Sequence, residues 1–317
     1  MDKLISVIIP HYNTPDSLLR LIRSIPFRED IEILVVDDNS GVPLEEIRRI
    51  LNPFPYVQLF QNDSGKKGAG ASRNIALQKA VGEWVLFADA DDFFVEDFYD
   101  KLIPFLESNY DIVYFPPTSM DETTGGVSSR HLYYMDLVNN YREKPSFKNL
   151  TALKFGFCTP WSKLIRRRVF EKNNIKFDEI KASNDIMCIT KCAYYSDSVN
   201  AADGTIYCVT RGAKTLTSKK NEENFDTRID VLIRRYCFLR EHLSKEEFKY
   251  AHIDRLALGR LVEVVVDGWG IKKLIGILKL YHKHRIKFFD IGLLNPATLI
   301  YDAKKQLVWL VDIKKHQ

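Results

Sequence analysis

Cysteine is scarce in this chain: five residues among 317, at Cys158, Cys188, Cys192, Cys208 and Cys237. The number is odd and no C-x-x-C pair occurs, which argues against a disulfide framework and a zinc site and fits a reducing compartment. Cys188 and Cys192 share a helix face and read as small buried thiols. The seven histidines are scattered, without the H-E-x-x-H spacing of a metalloprotease. No stretch reaches the ~18 apolar residues of a membrane-spanning helix. The apolar run before Pro10 is short and lacks a small-residue cleavage site, so no signal peptide is read. Internal repeats and low-complexity segments are missing as well. These absences leave a cytoplasmic globular protein as the expectation, with the inner face of the plasma membrane as a second setting.

What is present is a chain with 45% hydrophobic residues, enough for a substantial core. The formal net charge is +4 and it is unevenly placed, since residues 205–317 carry +9 and residues 1–204 carry −5. A basic end on an acidic body points to an anionic surface facing that end.

The first 115 residues alternate short Ile/Val-rich runs with helical patterns. Strands are predicted at Leu4–Ile9 (ended by Pro10), Ile31–Val36, Val57–Gln61, Glu83–Ala88 and Asp111–Phe115. Helices are predicted over Ser17–Ser24, Leu44–Leu51, Ala71–Val81 and Asp97–Glu107. This alternation predicts an open, mainly parallel α/β sheet, whose ligands bind beyond the strand C-termini. The segment Pro116–Ser146 has a weak pattern and reads as loop. Further on, Trp161–Ile165 reads as a strand edge, Ile186–Tyr195 as a helix and Thr205–Val209 as a strand. Helix dominates from Phe225 onward.

Two acidic clusters fall at strand ends: Asp37-Asp38, and Asp89-Ala90-Asp91-Asp92 after the run Val85-Leu86-Phe87-Ala88. Like charges so close repel and need neutralising. A hard divalent cation with a phosphorylated ligand does this, because Mg²⁺ and Mn²⁺ prefer carboxylate and phosphate oxygens. The plainer reading makes Asp92 the cap of the following helix. Between the clusters lies the loop Gly68-Ala69-Gly70-Ala71-Ser72-Arg73-Asn74. Its glycines permit close backbone approach, and Arg73 offers a planar fork for phosphate or a base edge, or else lies on a solvated face. No G-K-[ST] follows, so it is not a P-loop.

The ordered motifs Ser6-Val7-Ile8-Ile9-Pro10-x-Tyr12-Asn13, Val35-Val36-Asp37-Asp38-Asn39-Ser40, Gly70-x-Ser72-Arg73-Asn74-x-Ala76-Leu77 and Phe87-x-Asp89-x-Asp91-Asp92 resemble those of family 2 glycosyltransferases with the GT-A fold. The resemblance continues more weakly through Trp161-Ser162-Lys163-Leu164, Phe177 and Asn184-Asp185, and fades beyond residue 215. It implies a GT-A-type α/β fold with a mostly helical C-terminal extension. The implied parts are a nucleotide-sugar-binding half (1–117), an acceptor-binding half with the catalytic base (118–214) and a helical, basic region (215–317).

The activity implied is an inverting, metal-dependent transfer of a sugar from a nucleotide donor, with UDP expected, to a glycan or lipid-linked saccharide in bacterial surface-polysaccharide assembly. By this resemblance Asp38 or Asp37 accepts from the uracil N3–H, while Pro10, His11 and Tyr12 line the base and ribose. Gly68 and Arg73 lie near the base or diphosphate, and Asp89 near the ribose. Asp91 binds Mn²⁺ or Mg²⁺, and Arg211 swings toward the diphosphate ahead of a loosely matching basic loop, Ala213–Thr217. The general base is Asp185, with Asp178 and Glu179 as fallbacks; its plainer role is to cap a helix. The preceding residue is Asn184, where the family commonly has an acid. Trp161 and Lys163 fall where the acceptor pocket is shaped, although a core tryptophan fits equally. Two other readings stay open: a sugar nucleotidyltransferase, which would want a glycine- and basic-rich loop after the first strand, and a non-catalytic nucleotide-sugar-binding module. Finally, Gly270–Tyr281 forms a helix with an apolar stripe of Ile271, Leu274, Ile275 and Leu278, with lysines off it. Such a helix packs on its own protein or lies on an anionic membrane.

Overall fold

The structure, a computed structural model, describes residues 3–212 and 221–288. The chain divides after Arg211 into two compact units.

The first unit opens as strand–helix alternation: β1 (Ile5–His11), α1 (Pro15–Arg23), β2 (Ile31–Asp37), α2 (Leu44–Leu51), β3 (Val57–Gln61), α3 (Ala69–Lys79) and β4 (Trp84–Phe87). It continues with β5 (Phe93–Phe94), α4 (Phe98–Leu106), β6 (Ile112–Tyr114), β7 (Thr118–Asp121), α5 (Leu132–Glu143), α6 (Phe147–Gly156), β8 (Lys163–Arg166), α7 (Arg167–Lys172), α8 (Ile186–Tyr195), β9 (Val199–Ala201) and β10 (Tyr207–Arg211). Seven strands form the main sheet in the order β3-β2-β1-β4-β8-β6-β9. All of its pairings are parallel except those of β8, which is antiparallel to both neighbours. A small second sheet, β5-β10-β7, lies beside it.

Every residue of β1 and β2 is buried. That explains their unbroken apolar runs, since helices cover a parallel sheet on both faces. The helices supply periodic stripes: Leu18, Leu21 and Ile22 of α1, and Ile47 and Leu51 of α2, are buried against the sheet. The resulting architecture is the expected mainly parallel α/β sheet flanked by helices.

Three local expectations are corrected. Pro10 does not end β1. The carbonyl of Ile8 faces β4 and that of His11 faces β2, so alternation turns Pro10 toward β4. The pairing there has already stopped at Ile8–Phe87, and the missing N–H costs nothing. The segment Pro116–Ser146 is not a loop, because it carries β7 and α5. Its apolar residues are few before Leu132 and only partly buried in α5 apart from Val138, a weak periodic signal; Tyr134 packs on Phe157 and Trp161, with centroids 4.7 and 5.0 Å apart. Asp92 does not cap the following helix, since β5 intervenes and the residue preceding α4 is Asp97, in the left-handed region at φ 58°.

The second unit is helical: α9 (Glu222–His242), α10 (Lys245–Tyr250), α11 (Ile253–Val266) and α12 (Ile271–Lys283). Its own core holds Phe225, Tyr236, Leu239, Ile253, Ile277 and Tyr281, and the Tyr281 hydroxyl donates to the Ala257 carbonyl at 3.1 Å. A capping box between Ser244 and Glu247 starts α10. Among the described residues no helix is long and apolar enough to cross a membrane.

Candidate active site

The C-terminal ends of β1, β2 and β4 lie side by side, and the polar motifs follow those ends. At β1 and β2, His11 Nδ1 donates to Asp37 Oδ1 at 2.8 Å, while its Nε2 accepts from the Thr14 N–H at 3.3 Å. These two partners fix the tautomer. Asp37 also accepts from Ser40, through N–H at 3.0 Å and Oγ at 2.5 Å. Both side chains are buried, so the pair braces the strand ends. Asp38, also buried, accepts from Asn62 Nδ2 at 2.5 Å and from the Gly68 N–H at 2.7 Å. It thereby ties β2 to the start of α3. Tyr12, by contrast, is 57% exposed and projects beside them.

The glycines in front of α3 answer a steric demand. A Cβ on Gly70 would stand 2.0 Å from the Asp178 carbonyl oxygen, and Gly68, at φ +113°, lies against the Ile180 carbonyl. The segment leading to Asp185 therefore packs directly on the α3 N-terminus. One turn further, Asn74 accepts from the Phe177 N–H at 2.8 Å and donates back to its carbonyl at 3.0 Å. Arg73, 4% exposed, completes the link. Its Nη1 donates to Asn184 Oδ1 at 2.8 Å, and its Nη2 forms an ion pair with Asp89. One guanidinium thus spans the end of β4 and the residue next to Asp185.

The acidic strand end splits into three different environments. Asp89 pairs with Arg73. Asp92 is buried, with Oδ2 accepting from the Tyr207 hydroxyl and Oδ1 from the Thr210 N–H, at 2.8 and 2.7 Å. Burial, then the charges of Asp91 and Asp89, push its carboxyl well above the usual range. Asp91 is reached by solvent yet stands in a crowded hollow. Desolvation first, and the Asp89 charge second, raise its carboxyl. Its backbone carbonyl is held by Arg20 Nη2 at 2.5 Å and by the Thr210 hydroxyl. Its carboxylate accepts from no other residue among those described. Such a carboxylate beside a second negative charge suits a hard cation that takes its other ligands from phosphate and water. Among the described residues no cluster of three acidic, His or Cys side chains could hold a metal by itself.

Asp185 sits at the start of α8 with no side-chain capping bond. Its carboxyl is raised by burial, while the charges of Arg73 and Lys163 pull the other way and Asp89 adds to the rise. Trp161 is 4% exposed and belongs to the aromatic core with Tyr134, Phe157 and Tyr207. Lys163 is fully buried: its Nζ donates to the carbonyls of Thr159 at 2.5 Å and Trp161 at 3.4 Å and lies 3.3 Å from the Phe157 ring centroid. Burial lowers its pKa well below the usual lysine value. Neither side chain presents a surface to an acceptor in this structure. Arg211 ends β10, one residue beyond Thr210, and the Ala213–Thr217 loop lies outside the described residues.

Residues 6–173 match the sequence profile of Glycosyl transferase family 2. The chain belongs to that family. Among curated relatives, the putative glycosyltransferase EpsH of Bacillus subtilis is 22% identical over 97% of this chain and 90% of its own length. The glycosyltransferase GlyA of Streptococcus pneumoniae is 27% identical over 75% of this chain, which spans only 35% of GlyA. Among solved structures, TarS residues 1–349 from S. aureus with UDP-GlcNAc superposes with a TM-score of 0.59 at 21% identity, covering 81% of this chain and 71% of that one. The mannosyltransferase PcManGT of Pyrobaculum calidifontis, in complex with GDP-Man and Mn²⁺, gives a TM-score of 0.56 at 15% identity, over 99% and 87% of the two chains. These likenesses establish the GT-A-type fold.

In this family 2 glycosyltransferase several residues at the site have no local signal in the sequence. Tyr207 and Thr210 reach Asp92 from a strand more than a hundred positions later. Arg20 leaves α1 for the Asp91 carbonyl and Glu122, the latter at 3.0 Å. Arg130, whose Nη1 donates to the Thr210 carbonyl at 3.0 Å, brings a positive charge to Asp91 and Asp92. An arginine beside an acidic motif is invisible until the topology brings the two together.

Proposed function

We propose that this glycosyltransferase moves a sugar from a UDP-linked donor to a hydroxyl of a glycan or lipid-linked saccharide, with inversion at the anomeric carbon. The observation that carries the proposal is the Arg73 bridge from Asp89 to Asn184. It puts the acidic strand end and Asp185 on one wall, so a leaving diphosphate and an attacking hydroxyl can share a site.

In this reading Tyr12 covers the nucleobase, with Pro10 and the braced His11–Asp37 pair behind it. Asp38 keeps lone-pair capacity for one further N–H, that of the base. Arg73, held between Asp89 and Asn184, and Arg211 lie near the diphosphate, and Asp89 serves the ribose side. Asp91 would hold Mn²⁺ or Mg²⁺; when bound, the ion supplies Lewis-acid stabilisation of charge on the departing nucleoside diphosphate. Asp185 takes the acceptor hydroxyl proton as the oxygen attacks, and burial makes it a stronger base than a free aspartate. Residues 1–117 form the donor half and 118–214 the acceptor half, followed by the basic region 215–317. The acceptor surface is then drawn from parts of 118–214 other than Trp161 and Lys163.

One relative supports the donor and the setting. TarS was crystallised with UDP and UDP-GlcNAc, and curated TarS is a poly(ribitol-phosphate) β-N-acetylglucosaminyltransferase. We place the reaction in the cytoplasm, in bacterial surface-polysaccharide assembly, and at the inner membrane face when the acceptor is lipid-linked. The test is a screen of nucleotide sugars for UDP release with and without Mn²⁺, run beside Asp185→Asn. Manganese-dependent release that the substitution suppresses supports the proposal. Nucleotide binding with no release from any donor, and indifference to Asp185→Asn, would make the chain a binding module.

A further inference from the structure

The helical unit exposes apolar side chains on α11 and α12; on α11 they stand beside Glu263 and Asp267, whereas α12 has no acid. On α11, Val262, Val265 and Val266 are 39%, 67% and 56% exposed, and across the short turn α12 begins with Ile271 at 66% and carries Ile275 at 46%. From Gly268 through Phe288 the sequence contains six Lys and Arg and no Asp or Glu. One of these, Lys273, is taken by Glu222 at 3.0 Å and Asp226 at 2.5 Å. Lys272, Lys279 and Lys283 are exposed and pair with no carboxylate among the described residues. At helical spacing Ile271, Ile275 and Lys279 form one outward stripe with Lys272 and Lys283 beside it, opposite the buried Ile277 and Tyr281.

We propose that this face of α11 and α12 docks on an anionic lipid surface, with the valines and isoleucines entering the headgroup boundary and the lysines meeting lipid phosphates. The charge decides the occupant. A second copy of the same face would bring cations against cations, and an ordinary solvated helix face would carry polar residues at 265, 266, 271 and 275. Exposed isoleucines flanked by unpaired lysines on α12, next to the exposed valines of α11, are the composition that binds at a bilayer interface, through apolar burial plus attraction to acidic lipids.

The test is co-sedimentation of the full-length protein with phosphatidylcholine vesicles, pure or containing about one-third phosphatidylglycerol. It needs no nucleotide sugar, so its outcome is independent of the transferase proposal. Binding is expected only to the anionic vesicles and is expected to fall away in about 0.5 M salt, where charges are screened within a few ångström. Lys272→Gln/Lys279→Gln should weaken it about 25-fold, at roughly fivefold per cation. Ile271→Glu/Ile275→Glu should weaken it at least about tenfold. Ile271→Ser/Ile275→Ser repeats the measurement if the glutamates disturb folding, judged by circular dichroism. Equal binding to both vesicle types, or none, overturns the proposal. So does native-like binding by the substituted proteins, which would move the membrane contact elsewhere, for instance to residues 289–317.

Discussion

Replacing Gly70 by alanine separates the packing of the base segment from the chemistry of the site. In a bare helix the change would help by about 1 kcal/mol, since glycine is the poorer helix former. Here the added carbon would stand 2.0 Å from the Asp178 carbonyl oxygen, where ordinary contact begins at 3.4 Å, so about 1.4 Å must be found. The obstacle is backbone, not the tip of a flexible side chain. Asn74 anchors Phe177 on one side, so the yielding part is the stretch that ends at Asn184 and Asp185. Overpacking of this kind costs about 1–3 kcal/mol, which offsets the gain in helix propensity and leaves a net loss of up to about 2 kcal/mol. The larger consequence is positional, because a reacting group displaced by about 1 Å loses roughly a hundredfold in rate. The assay is UDP release from whichever donor the native enzyme turns over fastest, with UDP affinity by calorimetry and stability by urea unfolding. We expect turnover to drop roughly a hundredfold while UDP affinity changes less than about twofold. Native turnover in Gly70→Ala would refute the idea that close packing on α3 sets the position of Asp185.

Other expectations follow from the same geometry. Asp91→Asn should weaken UDP binding at least about tenfold in the presence of Mn²⁺ and leave metal-free binding unchanged, as calorimetry can read. Asp185→Asn should keep donor binding and lose about 10²–10⁴ in transfer rate. Because the Asp185 carboxyl is raised in the folded state, the active, deprotonated base should be lost on acidification at a higher pH than for a free aspartate. The same shift means that ionised Asp185 disfavours the fold. Asp185→Asn should therefore raise the melting temperature at pH 7, and the difference should vanish as pH falls below the ordinary aspartate value of about 3.9. At the opposite end of the sheet, buried Glu32 accepts from Ser6 Oγ at 2.5 Å and from the N–H groups of Val81 and Gly82 at 2.7 and 3.2 Å. Glu32→Ala should cost about 2–4 kcal/mol in urea unfolding, by stranding those donors, with turnover unaffected.

The centre of the sheet was legible because β1, β2 and β4 are buried throughout and therefore read as apolar runs. The periodicity of α1 and α2 was equally open. Helix α5 was not, because Val138 is its one buried residue and the others, Tyr134 among them, are only partly covered, which leaves a blurred stripe. Lys163 shows the limit from another side: a lysine with no surface exposure violates the usual rule for charge, and its place is made by carbonyls of a tight local turn and by the rings of Phe157 and the distant Tyr114. The acidic motif raised the expectation of a cation, yet the different settings of its three carboxylates depend on partners far along the chain. Arg73 was legible as a fork, but not as the tie between Asp89 and Asn184, since that needs two segments that meet only after folding.

The anchoring of Asp92 by β10 bears on how the enzyme is born. All four N-terminal motifs leave the ribosome well before Tyr207 and Thr210, which set the Asp92 carboxylate. A nascent chain halted short of that strand would display the nucleotide-binding sequence with its acidic end unset. The hydrogen-bonded setting of the acidic motif is thus completed only late in synthesis.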